Sequence, residues 1–189
     1  MTIPHSPFYF IRHGQTDWNH RHVYMGATDI PLNQTGVGQA ELAAQWLKNE
    51  LIDHIVTSPL VRAMKTAEII AATIQKPITV IDDLKECHWG VKEGKPVDAG
   101  AFFDQWIDGE TSEGAETAYD FDARVRSALK HALGLSESVL IVAHGGVYCS
   151  IQRTLSMSLV NIKNCAPVYH RPPEHPSHPW FVCDVGGEE

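Results

Sequence analysis

Short apolar runs alternate with segments of helical periodicity along most of the chain. Runs typical of buried strands occupy residues 7–11, 53–58, 77–81, 138–146 and 180–185. Apolar residues recur at helical spacing over about 37–51, 59–75, 97–108, 116–133 and 147–156. Strands separated by helices of this length form a mostly parallel sheet that helices cover on both faces. The sequence therefore predicts an α/β three-layer sandwich, and no repeat or linker-like stretch divides residues 1–189 into more than one domain.

Capping residues predict where several helices begin. Asn33 or Thr35 is suited to cap the first long helix. Ser58, followed by Pro59 at the first helical position, is a favourable start for the second helix. Glu116 is expected to cap the helix that follows it, because a carboxylate near a helix N-terminus is stabilising.

The composition is that of a globular protein, and it disfavours several function classes. The formal net charge is −8 at pH 7, which argues against a general nucleic-acid-binding surface. No apolar run approaches the roughly 18 residues of a membrane span, and the N-terminus lacks the features of a signal peptide. The four cysteines are widely spaced without a Cys-x-x-Cys pair, which indicates reduced thiols rather than disulfides or a zinc site. We therefore expect a cytoplasmic protein without nucleic-acid or membrane partners.

Three segments with cationic or imidazole side chains follow predicted strands. Residues 12–14 (Arg-His-Gly) follow the first strand, Arg62 lies in the first turn of the helix after the second, and residues 144–146 (His-Gly-Gly) follow the fourth. Ligands of open α/β sheets bind beyond the carboxyl ends of the strands, so these segments should meet in one crevice. Arginine matches two phosphate oxygens, and a helix N-terminus attracts an anion. A lone histidine at a strand end is more often structural, but the joint arrangement predicts a phosphate pocket with a nitrogen nucleophile.

The stretch RHGQTDWN at residues 12–19 resembles the signature of the histidine phosphatase superfamily, the phosphoglycerate mutase-like group, whose usual form is Arg-His-Gly-x-Thr-x-x-Asn. Further blocks similar to that family lie in the family's order at residues 24–40, 58–67, 84–94, 113–117 and 141–146. The resemblance therefore spans most of the chain. It implies the phosphoglycerate mutase-like fold and a phosphoryl transfer that passes through a phosphohistidine.

The resemblance implies a role for each residue that matches the family's motifs. His13 would attack the phosphoryl group, and Glu86 would protonate the leaving alcohol and then help to activate water. Gly14 would leave room for the phosphate beside the nucleophile. The expected catalytic residues are His13, Glu86 and His144, and the expected substrate-binding residues are Arg12, Gly14, Asn19, Arg62 and Gly145. No metal and no other cofactor is expected, because the arginines and histidines supply the positive charge.

Some assignments depend on the family spacing alone. Only that spacing distinguishes Glu86 from Asp83 and Glu93 as the proton donor. Histidines cluster at residues 20–22 and 170–178, but without the spacing of a metal site. The proline- and histidine-rich segment 170–180 is expected to be extended and could lie over the mouth of the crevice.

The residues favour a phosphomonoester phosphatase that acts on a small phosphorylated metabolite. The alternatives are a cofactor-dependent phosphoglycerate mutase, a protein phosphohistidine phosphatase and a non-catalytic phosphate-binding module. Mutases that resemble this chain are longer and typically carry arginines where it has Val23, Ile107 and Asp108. Without those cations a second anionic group of the substrate would be poorly compensated. The sequence leaves open the substrate itself and the oligomeric state.

Overall fold

A six-stranded sheet forms the centre of the protein. The structure is a computed structural model that describes residues 3–98, 101–175 and 178–186, except for the side chains of residues 101 and 102. The strands are β1 (Phe8–Arg12), β2 (His54–Thr57), β3 (Ile78–Val80), β4 (Val139–Ala143), β5 (Val168–Arg171) and β6 (Phe181–Asp184). Their order across the sheet is β3-β2-β4-β1-β5-β6. Strands β1 to β4 are parallel, whereas β5 and β6 are antiparallel additions at one edge. The prediction of a mostly parallel central sheet is confirmed.

Helices cover both faces of this sheet. They are α1 (Asp17–His20), α2 (Gln34–Trp46), α3 (Val61–Ile74), α4 (Ala101–Ile107), α5 (Ala118–Leu133) and α6 (Gly145–Thr154). Single 3₁₀ turns follow at Leu47–Asn49, Asp82–Leu84 and Gly90–Lys92. One hydrophobic core lies between the sheet and α5 and α6, and the other lies between the sheet and α2 and α3. The predicted three-layer α/β sandwich is therefore the observed architecture.

Strand β1 shows how the sequence divides between the two cores. Phe8 and Phe10 belong to the core under α5 and α6, whereas Tyr9 and Ile11 belong to the core under α2 and α3. This alternation follows from the two-residue period of a strand. Strand β4 is buried at all five positions, as its continuous apolar run VLIVA predicts for a central parallel strand.

Two of the predicted helix starts are wrong. Helix α3 begins at Val61, and its N-cap position is Leu60 rather than Ser58. Helix α5 is capped by Thr117, whose side chain accepts a hydrogen bond from the backbone N–H of Asp120, and not by Glu116. In both cases the predicted capping side chain makes a tertiary contact, Ser58 with His144 and Glu116 with Arg124. The prediction for α2 is correct in naming Asn33, which accepts from the backbone N–H of Gly36.

The segment 170–180, expected to be extended, begins inside a strand that the sequence does not predict. Residues Val168–Arg171 form β5, which pairs with β1 along Phe8 to Phe10. His170 is fully buried and stacks on the ring of Phe8, with 4.3 Å between ring centroids. The short helix α1 is a second element that helical periodicity did not predict, because four residues are too few to show a period.

No helix within the described parts of the chain is long and apolar enough to cross a membrane. In the same residues, His, Cys, Asp and Glu side chains do not gather in groups of three or more that could hold a metal ion.

Candidate active site

The sheet order brings three loop segments together at one edge. Strands β2, β4 and β1 are neighbours, and Arg12 pairs with Ala143 at the carboxyl ends of β1 and β4. The parallel ladder continues one residue further, because the backbone N–H of His13 donates to the carbonyl oxygen of Ala143 at 3.0 Å. As a result the rings of His13 and His144 lie side by side, with 5.2 Å between their centroids. The predicted convergence of these segments is observed.

His13 is buried and held as a neutral imidazole. Its Nδ1 lies 2.7 Å from the carbonyl oxygen of Gly14. Because a carbonyl only accepts hydrogen bonds, Nδ1 carries the proton and Nε2 keeps its lone pair. Burial, together with the positive charges of Arg62 and Arg12, lowers the pKa of His13 well below 6.5. The ring is therefore an uncharged base with a nucleophilic nitrogen at neutral pH.

Arg12 and Arg62 bring two positive charges to the same place. Arg62 is almost fully buried and donates to the backbone carbonyl oxygens of Gly26 at 2.7 Å and Thr28 at 2.9 Å. Arg12 donates to the carbonyl oxygen of Ile162 at 3.3 Å. Burial lowers the pKa of Arg12, and it lowers that of Arg62 to about 10, so Arg62 remains cationic at neutral pH. We treat Arg12 as cationic too, because a guanidinium group is not deprotonated in proteins.

Neither arginine has a carboxylate within ion-pair distance in the described structure, although Glu86 acts electrostatically on both. The ion pairs found there do not include Arg12 or Arg62. The Nε atoms of both side chains are buried without a hydrogen-bond partner. Buried charges and buried polar atoms are costly unless they are paired. The pair of guanidinium groups is therefore suited to bind an anion.

His144 lies at the N-cap of α6 and is fully buried. Its Nε2 lies 2.8 Å from the hydroxyl of Ser58, and its Nδ1 has no hydrogen-bond partner. Burial, with added repulsion from Arg62, lowers its pKa well below 6.5. The Ser58 hydroxyl, which also accepts a hydrogen bond from the backbone N–H of Leu60 at 3.3 Å just before α3, thus orients a site histidine. No local sequence signal reveals this role, because the two residues are 86 positions apart.

Glu86 lines the cavity together with His13 and both arginines. One carboxylate oxygen accepts a hydrogen bond from the backbone N–H of Gly146, and the other accepts from Cys87, each at 2.9 Å. Because an added side chain at Gly146 would collide with the Glu86 carboxylate, the glycine permits this close approach. Glu86 is thereby fixed against the first turn of α6.

Glu93, the alternative proton donor, has a different position. One carboxylate oxygen accepts from the backbone N–H groups of Ala27 and Trp89, each at 3.0 Å. The other accepts from the backbone N–H and the hydroxyl of Thr28. Since Arg62 binds the carbonyl oxygens of the same loop, Glu93 and Arg62 together fix residues 26–28. The second alternative, Asp83, is not among the described residues that line the cavity.

Asn19 lines the cavity with its amide group oriented by a capping box. Its Oδ1 accepts a hydrogen bond from the backbone N–H of Thr16 at 3.1 Å, so its Nδ2 is the group left to donate to a ligand. Asn164 also lines the cavity and was not predicted; its Nδ2 donates to the carbonyl oxygen of His13 at 2.7 Å. Asn164 therefore helps to hold the backbone of the central histidine.

Glycine is needed at position 14 for a reason other than the expected space for a phosphate. Its backbone N–H donates to the hydroxyl of Thr66 at 3.0 Å, and a side chain at this position would collide with the carbonyl group of Gly36. Gly14 thus permits β1 to approach the start of α2, and it does not face the cavity. Gly145 does lie beside the arginine: an added Cβ would be 3.7 Å from Nε of Arg12, an ordinary contact.

The cavity has a volume of about 430 Å³, and a second one of about 320 Å³ adjoins it through shared lining residues. Aromatic side chains line the first cavity, namely Trp18, Tyr24 and Trp89. Trp106 belongs to the hydrophobic core instead. No described residue beyond Asn164 lines either cavity, so the described residues of segment 170–180, whose position over the crevice the sequence leaves open, are not part of the lining.

Several known proteins are similar to this chain in sequence and in fold. The chain is 37% identical over 148 residues to an uncharacterized phosphatase, PhoE, of Bacillus subtilis (strain 168), covering 77% of this chain and 75% of that protein. It is 33% identical over 191 residues to a probable phosphoglycerate mutase, GpmB, of Serratia proteamaculans (strain 568), covering 92% and 87%. A mycobacterial glucosyl-3-phosphoglycerate phosphatase has the same fold, with a TM-score of 0.81, 24% identity and coverage of 97% and 100%. Residues 8–167 match the model of histidine phosphatase superfamily (branch 1), and the chain therefore belongs to that family.

Proposed function

We propose that this chain is a phosphomonoester phosphatase that hydrolyses a small phosphorylated metabolite through a phosphohistidine at His13. One observation carries the proposal. The neutral His13, with its lone pair on Nε2, shares the cavity with Arg12 and Arg62, whose Nε atoms are buried without a hydrogen-bond partner and which form no ion pair among the described residues. This combination of a nucleophile with cations suited to an anion is what phosphoryl transfer requires.

In the first step Nε2 of His13 attacks phosphorus, and the bond between phosphorus and the alcohol oxygen breaks. The proton stays on Nδ1, which donates it in a hydrogen bond to the carbonyl oxygen of Gly14, and this contact stabilises the positive charge that develops on the ring. Arg12, Arg62 and the donor groups of Asn19 and His144 stabilise the phosphoryl oxygens in the transition state. The carboxylic acid of Glu86 gives its proton to the departing alkoxide.

In the second step a water molecule attacks the phosphohistidine, and the phosphorus–nitrogen bond breaks. Glu86, now a carboxylate, accepts a proton from that water. The products are inorganic phosphate and neutral His13, so the enzyme returns to its starting state. The two hydrogen bonds from Gly146 and Cys87 hold Glu86 in place for both proton transfers. The scheme uses no metal ion and no organic cofactor, because the arginines supply the positive charge.

The mutase alternative has support from the curated relatives named as probable phosphoglycerate mutases. The chain's own residues favour hydrolysis. Val23 lines the cavity as an apolar side chain, and neither Ile107 nor Asp108 is among the described residues that line it. A substrate with a second acidic group would therefore lack a cation to pair with.

We also infer that the single-domain chain works in the cytoplasm, since its free cysteines suit a reducing compartment.

The experiment is to trap the intermediate and measure turnover with the same variants. Purified protein is mixed with p-nitrophenyl phosphate, and the quenched chain is analysed for an acid-labile phosphate on His13 while phosphate release is followed. We expect His13→Ala to lose the adduct and at least a thousandfold in rate, about 4 kcal/mol of barrier. His20→Ala, which removes an exposed histidine of α1, is the matched control. Phosphate release by His13→Ala within tenfold of the wild-type rate would refute the covalent mechanism.

A further inference from the structure

Beyond the groups proposed to bind phosphate, the cavity has an aromatic and apolar lining. The described residues of this kind in the two adjoining cavities include Trp18, Val23, Tyr24, Trp89, Val97 and Phe103. The rings of Tyr24 and Trp89 lie near each other, with 6.2 Å between centroids, and Trp89 packs edge-on against buried Trp106 at 4.9 Å. This lining is suited to an apolar or aromatic part of a substrate.

The charges around the cavity balance a single phosphate group. Among the described lining residues, the side chains of the Arg, Lys, Asp and Glu types are Arg12, Arg62 and Glu86. A phosphomonoester brings up to two negative charges, which the two arginines match. A further carboxylate or phosphate on the alcohol would meet Glu86 and no remaining arginine or lysine of that lining, at a large desolvation cost. His22 also lines the cavity but is exposed, where an ion pair contributes little.

The aromatic wall is held in place by backbone hydrogen bonds. Residues 22–24 pair with residues 94–97: the N–H of Tyr24 donates to the carbonyl oxygen of Lys95 at 2.9 Å, and the N–H of Val97 donates to that of His22 at 2.8 Å. The Tyr24 hydroxyl donates to Asp98 at 2.6 Å. Burial, together with Asp98, raises the pKa of Tyr24, so its ring stays uncharged. A preformed wall binds a flat group without the entropic cost of ordering the side chains.

We propose that the alcohol part of the substrate carries an uncharged aromatic or heteroaromatic ring, as in an aryl phosphate or a nucleoside monophosphate, and no second acidic group. This inference rests on the phosphatase function proposed above. The ring lies against the wall formed by Trp18, Tyr24 and Trp89 while the phosphate lies between the two arginines. Sugar-acid phosphates and bisphosphates are excluded by the charge balance.

Matched pairs of esters test the charge and the ring separately. Phenyl phosphate is compared with 4-carboxyphenyl phosphate, and benzyl phosphate with cyclohexylmethyl phosphate, each by kcat/KM. We expect the added carboxylate to lower kcat/KM at least tenfold and the saturated ring to lower it at least fivefold. Ratios within twofold in both pairs would overturn this inference alone. Failure to hydrolyse any of the four esters would overturn the phosphatase function as well.

Variants of the wall sharpen the test. Trp18→Leu should reduce the preference for benzyl over cyclohexylmethyl phosphate at least threefold, because it removes the more exposed indole of the wall. Val23→Arg should bring kcat/KM for 4-carboxyphenyl phosphate closer to that for phenyl phosphate, since it places a cation at the cavity lining. Tyr119→Leu, which changes an exposed aromatic residue of α5, is the control. Unchanged ratios in both wall variants would also count against the inference.

Arg124 supports a second inference, which rests on a separate set of contacts. Its Nη1 donates to the carbonyl oxygens of Asp83 at 2.8 Å and Lys85 at 2.7 Å, and its Nη2 donates to that of Glu86 at 3.1 Å. The remaining donors form a bidentate pair with Glu116, at 2.7 and 2.8 Å. All five N–H groups of the guanidinium are therefore used.

We infer that Arg124 is a positioning residue that acts through Glu86, the proton donor in the proposed function. Three backbone carbonyls on residues 83–86 leave this loop little freedom around the guanidinium. Glu116 in turn fixes the guanidinium from the other side. Lysine has the charge but not the fork geometry, so it cannot reproduce these contacts. The loop carrying Glu86 would then hold its carboxylate less accurately against α6.

The test uses leaving groups and a double variant. Arg124→Lys should lower kcat for benzyl phosphate at least tenfold, and kcat for p-nitrophenyl phosphate less than threefold. In a Glu86→Gln background the same substitution should cause no further loss. Inhibition by inorganic phosphate should stay unchanged, because Arg12 and Arg62 are untouched. Glu116→Gln should show the same pattern in weaker form, and Arg126→Lys, at an exposed position of the same helix, should show none of it.

Equal losses with both esters, or losses that add to those of Glu86→Gln, would overturn the positioning role and leave Arg124 a purely structural residue. If Glu86→Gln itself fails to distinguish the two esters, the assignment of the proton donor is wrong, and the inference on Arg124 is overturned with it. Folding of each variant is checked by its thermal unfolding midpoint. Glu116→Gln keeps the test decisive if Arg124→Lys does not fold.

Discussion

The carboxylate of Glu86 accepts a hydrogen bond from the backbone N–H of Gly146, with 2.9 Å between Oε2 and the nitrogen. This contact joins the loop after β3 to the first turn of α6, which begins directly after His144. The carboxyl group of Glu86 is thus held at the N-terminus of α6, close in sequence to the buried His144. The geometry supports a proton donor that stays in place while the phosphoryl group moves.

Replacing Glu86 by glutamine should slow esters according to how much their leaving group needs a proton. Alkyl phosphates such as benzyl phosphate should lose at least a hundredfold in kcat, about 3 kcal/mol, because the alkoxide is a poor leaving group. The loss for p-nitrophenyl phosphate should stay below tenfold. Steady-state kinetics with both esters measures the difference. Asp83→Asn is the control, and equal losses for the two esters would move the acid role to another residue.

The sequence predicts the sheet and the core of the site well because both depend on local patterns. The apolar runs of β1, β2, β3 and β4 are long enough to be recognised, and the cations follow them directly along the chain. The sequence does not predict strand β5, because its residues VYHR continue into a proline-rich stretch. His170 is a polar residue, and only the fold shows that it is fully buried. Its burial depends on stacking against Phe8, a residue from the other end of the chain.

The supporting contacts of the site could not be predicted from sequence. Ser58 has the local context of a helix cap, yet its hydroxyl bonds to His144, 86 positions away. Glu116 was assigned to the start of α5, yet it pairs with Arg124 and so braces the loop of Glu86. Such contacts are set by how the layers pack. A single sequence without the fold carries no periodic or spacing signal for them.

Exhaustive chelation should leave the activity unchanged. Arg12 and Arg62 both line the cavity, and neither forms an ion pair among the described residues, so they supply the charge that a metal ion provides in other phosphatases. The measurement is the rate of p-nitrophenyl phosphate hydrolysis after dialysis against EDTA, with and without added Mg²⁺ or Zn²⁺. Loss of activity that either ion restores would show that the arginines alone are insufficient, and the mechanism would need a metal site.

His170 should make the protein less stable in mild acid. Burial lowers its pKa from 6.5 to about 4 in the folded chain. Below pH 6.5 the unfolded chain binds a proton that the folded chain does not, so the free energy of unfolding falls as the pH drops from 6.5 towards 4. Between pH 7 and pH 5 this histidine should account for a loss of about 2 kcal/mol.

Urea unfolding at pH 7, 6 and 5 checks the effect of His170. The variant His170→Gln is less stable at pH 7, because it loses the stacking on Phe8 and the hydrogen bond with Tyr148. Its free energy of unfolding should nevertheless depend less steeply on pH than that of the wild type. His131→Gln, at an exposed position, should keep the wild-type slope. Identical slopes for His170→Gln and the wild type would contradict the burial argument.

The chain should hydrolyse phosphate esters rather than isomerise phosphoglycerate. Both reactions pass through a phosphoryl group on His13, so trapping that intermediate does not distinguish them. The difference lies in the acceptor: a mutase must hold a second acidic group of its substrate while it excludes water. Val23 gives that part of the cavity an apolar side chain. Among the described lining residues, the permanently cationic side chains are those of Arg12 and Arg62.

Because those two arginines are taken by the transferring phosphoryl group, the carboxylate of 3-phosphoglycerate would lie uncompensated next to Glu86. Water then has the advantage as acceptor, and no bisphosphoglycerate is needed to prime the histidine. The protein is incubated with 3-phosphoglycerate, with and without 2,3-bisphosphoglycerate, and both 2-phosphoglycerate and free phosphate are followed. We expect no isomerisation, together with phosphate release from aryl phosphates in a parallel sample. Isomerisation that requires the bisphosphate and exceeds phosphate release a hundredfold would identify a mutase, and Val23→Arg should then raise it further.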